Sequence, residues 1–426
     1  MKGIMRVSLA LFLALIVFVD GGAEVGSFEA VPDAAKDGTK TGLKAALDFI
    51  STLFAPPEFE PPLISEAVNW FGFSLVNEFR ALNPDASIVF SPVSLSGALS
   101  LLYFGSHGAT KADMEIALGF TAGVVPDQLR AKANAIDRNR KSTAIANRAY
   151  FAKGMNIKDS FVDAVGQVNV GTLDFSKDLS GAIKTINGFV SDTTRGLIPD
   201  MMAEGDVTAA TRMVLVNAVY FKGTWKTVFD KDKTFKGEFQ GVDGPVEVDM
   251  MKFEAGEVDL WGKDMPDLEA EVLEFPYDDD RFAMYIVLPY EADGWRFVEE
   301  QLAEVDADFF KTDLEPQSPR IEMPKWEQEV TLEGVRDMLE FLGLKSVFSG
   351  ADFSGITEGE DVTVSDIVHK AVIRVSEEGT EAGAVTGGAG LRSLYEDEFL
   401  VSHPFLYFVV DATDDTVFFQ GTVTKI

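Results

Sequence analysis

Glu377–Thr386 reads EEGTEAGAVT, and far upstream Val214–Trp225 reads VLVNAVYFKGTW. The first stretch opens with two carboxylates and a glycine. It then sets small, uncharged side chains (Thr380, Ala382, Ala384, Thr386) at every second position, with Glu381 and Val385 on the opposite parity. The second stretch continues the strongly apolar run Met213–Phe221, which predicts a strand. Just past the first stretch, Gly383–Gly390 is glycine-rich. No Lys-Ser/Thr follows it and its spacing is not G-x-G-x-x-G, so it is not a phosphate-binding loop.

Outward from these stretches, the chain has the composition of a globular protein. Of its 426 residues 46% are hydrophobic and 25% charged, which excludes a disordered chain. The formal net charge is −32, which repels nucleic acid and anionic membrane surfaces. There is no cysteine, so disulfides, thiol nucleophiles and zinc–thiolate sites are excluded. The start of the chain pairs Lys2 and Arg6 with an apolar run, Val7–Val19, and small residues at Gly21–Ala23. Residues 1–23 therefore read as a secretory signal peptide, because the run is shorter than the ~20 residues that span a bilayer. A secreted, extracellular protein is expected. Residues 24–63 form an extension with a short amphipathic helix and the proline-rich APPEFEPP, and a single domain is expected from 64 to 426.

In that domain Val68, Phe71, Leu75, Val76, Phe79 and Leu82 make one helical face, stopped by Asn83–Pro84. Ser91–Pro92 reads as a cap and first-turn proline opening an apolar helix to about Gly105. Phe405–Val410 and Thr416–Val423 flank a polar turn and predict a hairpin. Helices and strands mix without regular alternation, which favours an α+β fold.

Enzyme chemistry has little to rest on. Three histidines (His107, His369, His403) are present, with no G-x-S-x-G elbow and no H-E-x-x-H helix. Asp278–Asp280 is read as a solvated turn in preference to a calcium site. No metal or cofactor is expected. One basic cluster, Arg130, Lys132, Arg138, Arg140 and Lys141, departs from the acidic background. It is read first as a solvated helix face and second as a polyanion site, with a glycosaminoglycan as activator.

The segment EEGTEAGAVT resembles the hinge of the serpins, the serine-protease-inhibitor family. Further stretches resemble family motifs in the expected order. They are SIVFSPVSLSGALSLLYFG (Ser87–Gly105), VLVNAVYFKGTW, MPKWEQEVTLEGVRDMLEFLGLKSVFS (Met323–Ser349), VSDIVHKA (Val364–Ala371), SHPFLYFVV and FFQGTVTKI. The resemblance implies a serpin fold of three β-sheets with eight or nine helices and an exposed reactive-centre loop at about 377–400. It implies a suicide substrate: a target protease attacks the loop, and the cut loop enters the large sheet before the acyl-enzyme hydrolyses, giving a covalent 1:1 complex. That requires a native state trapped above a more stable one.

On those terms the hinge is Glu377, Glu378, Gly379, Thr380, Glu381, Ala382, Gly383, Ala384, Val385 and Thr386. Side chains alternate along a strand, so Thr380, Ala382, Ala384 and Thr386 are the core-facing ones. A charge buried there would cost several kcal/mol. The resemblance also implies a shutter of Ser91, Ser94, Asn217 and His369, and a breach of Trp225 with Lys325 paired to Glu377. A non-inhibitory serpin, working as carrier, chaperone or storage protein, is the alternative; the uncharged hinge favours inhibition.

In the family's common register the specificity residue lies fourteen places after Gly379, at Ser393, with cleavage at Ser393–Leu394. Arg392 sits immediately before it, and arginine is what a trypsin-like pocket takes. Arg392–Ser393 is therefore preferred, implying a trypsin-like target. Ser393–Leu394, for an elastase-like protease, is second, and Leu391 third. The partner expected is an extracellular serine protease, and the inhibitor a monomer.

Overall fold

The computed structural model describes residues 64–120, 128, 143–302, 312–332, 334–359, 362–379 and 398–426. The first helix, α1 (Ile64–Leu82), buries Val68, Phe71, Leu75, Val76 and Phe79 along one face and ends before Asn83–Pro84. After the short strand β1 (Ile88–Phe90), Ser91 takes an extended conformation and its hydroxyl accepts the Ser94 N–H at 3.2 Å. Pro92, which has no N–H to satisfy, then opens α2 (Pro92–Tyr103). From Pro92 to Leu102 every residue of α2 is buried, so it is a central helix with no solvent face.

The described residues build three sheets alongside the helices, and the α+β expectation holds. The functional interest lies in the five-stranded sheet. Its members are β2 (Thr143–Ala152), β3 (Val170–Leu173), β4 (Met213–Phe221), β12 (Trp326–Thr331) and β13 (Asp366–Val375). They lie in the order β12-β13-β4-β2-β3. The antiparallel pairs β12·β13 and β2·β4 flank a parallel pair, β13·β4, in the middle. A four-stranded sheet combines β5 (Phe235–Gly241), β6 (Gly244–Phe253), β11 (Arg320–Pro324) and β14 (Glu398–Leu400). The seven-stranded sheet includes β7 (Leu260–Met265), β8 (Ala270–Pro276), β9 (Phe282–Pro289), β10 (Glu315–Gln317), β15 (Phe405–Asp411) and β16 (Thr416–Val423), with β1 at its edge. The predicted hairpin is β15·β16, with a register shift between Val409 and Val410. Asp278–Asp280 is the turn from β8 to β9, where the Asp279 carboxylate accepts the N–H groups of Arg281 and Phe282.

β4 is buried on both faces, which is why its sequence reads as one apolar run. Met213, Leu215, Val219 and Phe221 join the main core with α2 and the seven-stranded sheet. Val214, Val216, Ala218 and Tyr220 look the other way, against α5 (Leu179–Thr193) through Ala182, Ile186 and Val190. The chain leaving α5 continues over the same face and buries Ile198, Met201, Met202 and Val207. Asn187 of α5 pins that strap. Its carbonyl accepts the N–H groups of Met201 and Met202 at 3.1 and 2.8 Å, and its amide donates to the Met202 carbonyl at 2.9 Å. From β13, the Lys370 ammonium donates to the Asp200 carbonyl at 3.1 Å and pairs with Glu329 at 2.7 Å.

Candidate functional site

The central seam β13·β4 is a parallel pair between two antiparallel ones, and parallel ladders are slightly less stable per residue than antiparallel ones. Midway along it, His369 of β13 sits opposite Asn217 of β4, and Asn217 in turn sits opposite Asn147 of β2. Asn217 and His369 are fully buried. Asn217 meets the His369 ring through Nδ1, and its amide donates to the Ser94 hydroxyl at 2.7 Å, to the Ser94 carbonyl at 3.1 Å and to the Asn147 carbonyl oxygen. The Ser91 N–H points at His369 Nε2 at 3.4 Å. Such a pattern suits a neutral imidazole, with Nδ1–H donating and Nε2 accepting. Burial depresses the His369 pKa from 6.5 to about 3, and Phe90 packs edge-on against the ring. Ser91, Ser94, Asn217 and His369 thus meet in one hydrogen-bonded cluster that ties α2 to both seam strands.

At the end of β13 the chain reverses through Ser376–Gly379. Ser376 and Gly379 exchange both backbone hydrogen bonds, at 2.9 and 3.0 Å. Gly379 then bridges antiparallel to Thr224, three residues past the end of β4. It adopts φ +113°, which favours glycine, and a Cβ there would lie 2.3 Å from the Gly223 carbonyl oxygen. Trp225 clamps the turn from below: its backbone N–H donates to the Glu378 carbonyl at 3.1 Å and its indole N–H to the Ser376 carbonyl at 3.0 Å. The indole is stacked on Tyr277 with centroids 4.7 Å apart.

Glu377 is 4% exposed. Its carboxylate lies 3.2 Å from the Lys325 ammonium and accepts the Thr234 hydroxyl at 2.8 Å. Burial acts to raise the Glu377 pKa. Hydrogen bonds from its own backbone, Thr234 and Lys325 outweigh burial and hold it below the ordinary carboxylate range. Glu378 pairs with Lys231. The hinge is therefore described as far as Gly379. Thr380–Thr386, the bond residues Arg392, Ser393 and Leu394, residues 1–63, and Arg130, Lys132, Arg138, Arg140 and Lys141 lie outside the described residues.

Sequence reading missed Asn147, Thr234, Lys231 and Tyr277. Asn147 is one polar residue in the strand TAIANRAYFA, and only the β2·β4 register brings it to Asn217. The other three come from a connection and a strand end whose placement no local pattern encodes.

Comparison with known proteins places this geometry among relatives. A family model described as "Serpin (serine protease inhibitor)" matches residues 66–426. Iripin-1 of Ixodes ricinus is 32% identical over 377 residues, covering 84% of this chain and 94% of its own. The leukocyte elastase inhibitor of Xenopus laevis is 31% identical over 374 residues, covering 84% and 98%. Among solved structures, maspin superposes with a TM-score of 0.77 at 25% identity, covering 85% of this chain and 98% of that one.

Proposed function

The chain belongs to the serpin family, and from that premise we propose that it is a secreted, single-use inhibitor of trypsin-like serine proteases, trapping its target as an acyl-enzyme by loop insertion. The bridge between Thr224 and Gly379 carries this reading. An incoming strand continuing that register would run antiparallel to both β4 and β13 and convert the parallel seam into two antiparallel pairs. It would set Ala382 opposite Phe221, Ala384 opposite Val219 and Thr386 opposite Asn217. Facing residues of an antiparallel pair share a face, and Phe221 and Val219 belong to the main core. The small, uncharged residues would thus be the ones that enter. Glu381 would come opposite Lys222, on the α5 side, where the charges complement each other.

Arg392–Ser393 is the bond we assign to attack, from the match of an arginine side chain to a carboxylate-bearing specificity pocket. The decisive experiment mixes the purified protein separately with trypsin, elastase and chymotrypsin. Denaturing gels report a covalent complex, and mass spectrometry weighs the released C-terminal peptide. An SDS-stable complex with trypsin and a peptide beginning at Ser393 are expected. A peptide beginning at Leu394 would move the target to elastase-like enzymes. Cleavage by all three proteases without a complex would favour a non-inhibitory carrier, chaperone or storage role.

We further propose an extracellular monomer processed after residue 23, checked by N-terminal sequencing of the secreted product and by its mass in solution. Glycosaminoglycan acceleration through Arg130–Lys141 is a separate part of the proposal. An inhibition rate unchanged by heparin removes it.

A further inference from the structure

Beside the seam, but outside it, the chain following β4, the β6–β7 connection and the end of β8 line a half-open cavity of about 330 Å³. That is the lower end of the range in which proteins hold small ligands, about 300–1,000 Å³. Three aromatic rings line it, those of Trp225, Phe253 and Phe275, and all three are buried residues. Such apolar, aromatic walls suit a flat ring, although Trp225 has one neighbour stacked on it in Tyr277 and Phe253 one in Phe229.

The charges at the mouth favour a cation. Lys226 is held by Asp280 at 2.6 Å, and Glu257 is held by Lys233, with its second oxygen accepting the Glu254 N–H at 2.8 Å. Those two side chains are neutralised in pairs. Asp259 is different. One of its oxygens accepts the Ser318 hydroxyl at 3.2 Å, and it has no cationic partner among the described residues. The half-buried Thr227 hydroxyl on the same lining also has no hydrogen-bond partner among them. The local balance is one uncompensated carboxylate beside an aromatic box, in a chain carrying −32 overall.

We propose that this cavity binds a small aromatic amine, its ring against Trp225 and Phe275 and its ammonium at Asp259 and Thr227. The site has a built-in connection to the rest of the molecule, because Trp225 is also the residue that clamps Ser376 and Glu378. The proposal stands apart from protease inhibition, and binding is read directly.

Isothermal titration of the full-length chain with tryptamine tests it, with indole-3-propionate and propylamine as arms that each lack one half of the ligand. Tryptamine is expected to bind one molecule per chain, and both comparison compounds at least about tenfold more weakly. Asp259→Asn, at an exposed position, should weaken tryptamine about three- to tenfold. Thr227→Trp should fill the mouth and abolish binding while the thermal midpoint is retained; if that variant does not fold, Asp259→Asn decides alone. Equal binding of the acid and the amine, a parental affinity in Asp259→Asn, or no heat at millimolar tryptamine overturns the proposal.

Discussion

Asn217 and His369 stand opposite one another on the parallel pair β4·β13, hydrogen-bonded side chain to side chain and fully buried. Each strand thereby holds the other at the level where Ser94 and Asn147 also converge. An opening of the seam that reaches its middle must break this contact.

Stability should fall with pH through this histidine. Above about pH 6.5 the imidazole is neutral folded and unfolded, and contributes no slope. Below it the unfolded chain takes a proton that the folded one, with a pKa of about 3, refuses. The folded state then loses up to about 1.4 kcal/mol per pH unit until about pH 3. His403, also lowered by burial, acts in the same direction. Urea midpoints measured from pH 7 to 5 should decline, and His369→Gln should remove the larger part of the decline. An unchanged slope in that variant would refute the assignment.

Asn217→Ala should be more costly than its size suggests. It strips the Ser94 hydroxyl, the Asn147 carbonyl and His369 of a shared partner, and each orphaned buried group costs about 1–3 kcal/mol. Thermal unfolding should show a drop of several degrees, accompanied by polymers on native gels. A midpoint within a degree of the parent would mean that the cluster does not hold the seam.

Glu377→Lys sets a second ammonium beside Lys325, where the side chains now lie 3.2 Å apart. Lys325 keeps about a third of its side chain in water, so the loss should be ~1–3 kcal/mol, less than for a pair buried on both sides. The turn should release, giving polymerisation or premature insertion. Native gels after mild heating check this, and migration identical to the parent would count against it.

Gly379→Ala forces a side chain at φ +113° into the Gly223 carbonyl. The bridge to Thr224 should yield, at about 1–3 kcal/mol. Amide hydrogen exchange at Trp225, whose N–H is held by Glu378, should speed up about tenfold or more. No change at that amide would show that the bridge does not dock the turn.

The strap behind the seam offers an independent handle. Asn187→Ala removes three hydrogen bonds to Met201 and Met202 and leaves their buried backbone groups unpaired. A loss of about 2–4 kcal/mol is expected in equilibrium unfolding, concentrated as faster exchange at those two amides. A variant as stable as the parent would mean that the apolar contacts of Ile198 and Met202 hold the strap alone.

Much of this was legible before any coordinates. The cap at Ser91, the face of α1, the buried run of β4 and the hairpin β15·β16 are local patterns, and local patterns survive folding. The meeting of Ser91, Ser94, Asn217 and His369 was expected from family resemblance alone; nothing in their spacing announces it. Asn147 shows why. An asparagine amid apolar neighbours marks a functional strand position only once register is known, and register is a property of two segments. Lys231 and Thr234 reach the turn from a connection that carries no periodic signal.

The Thr224–Gly379 bridge also sets a length of travel. Each residue added to a strand advances about 3.3 Å, so carrying its register from Thr224 down to Met213 moves the far end of the incoming segment roughly 36 Å. Met213 would then face Gly390, just short of Arg392 and Ser393. On the proposed insertion, the strand slot and the bait would thus be matched in length. The loop would run out of sheet as it ran out of residues ahead of the bond, and anything attached at that bond would arrive at the Met213 end of β4.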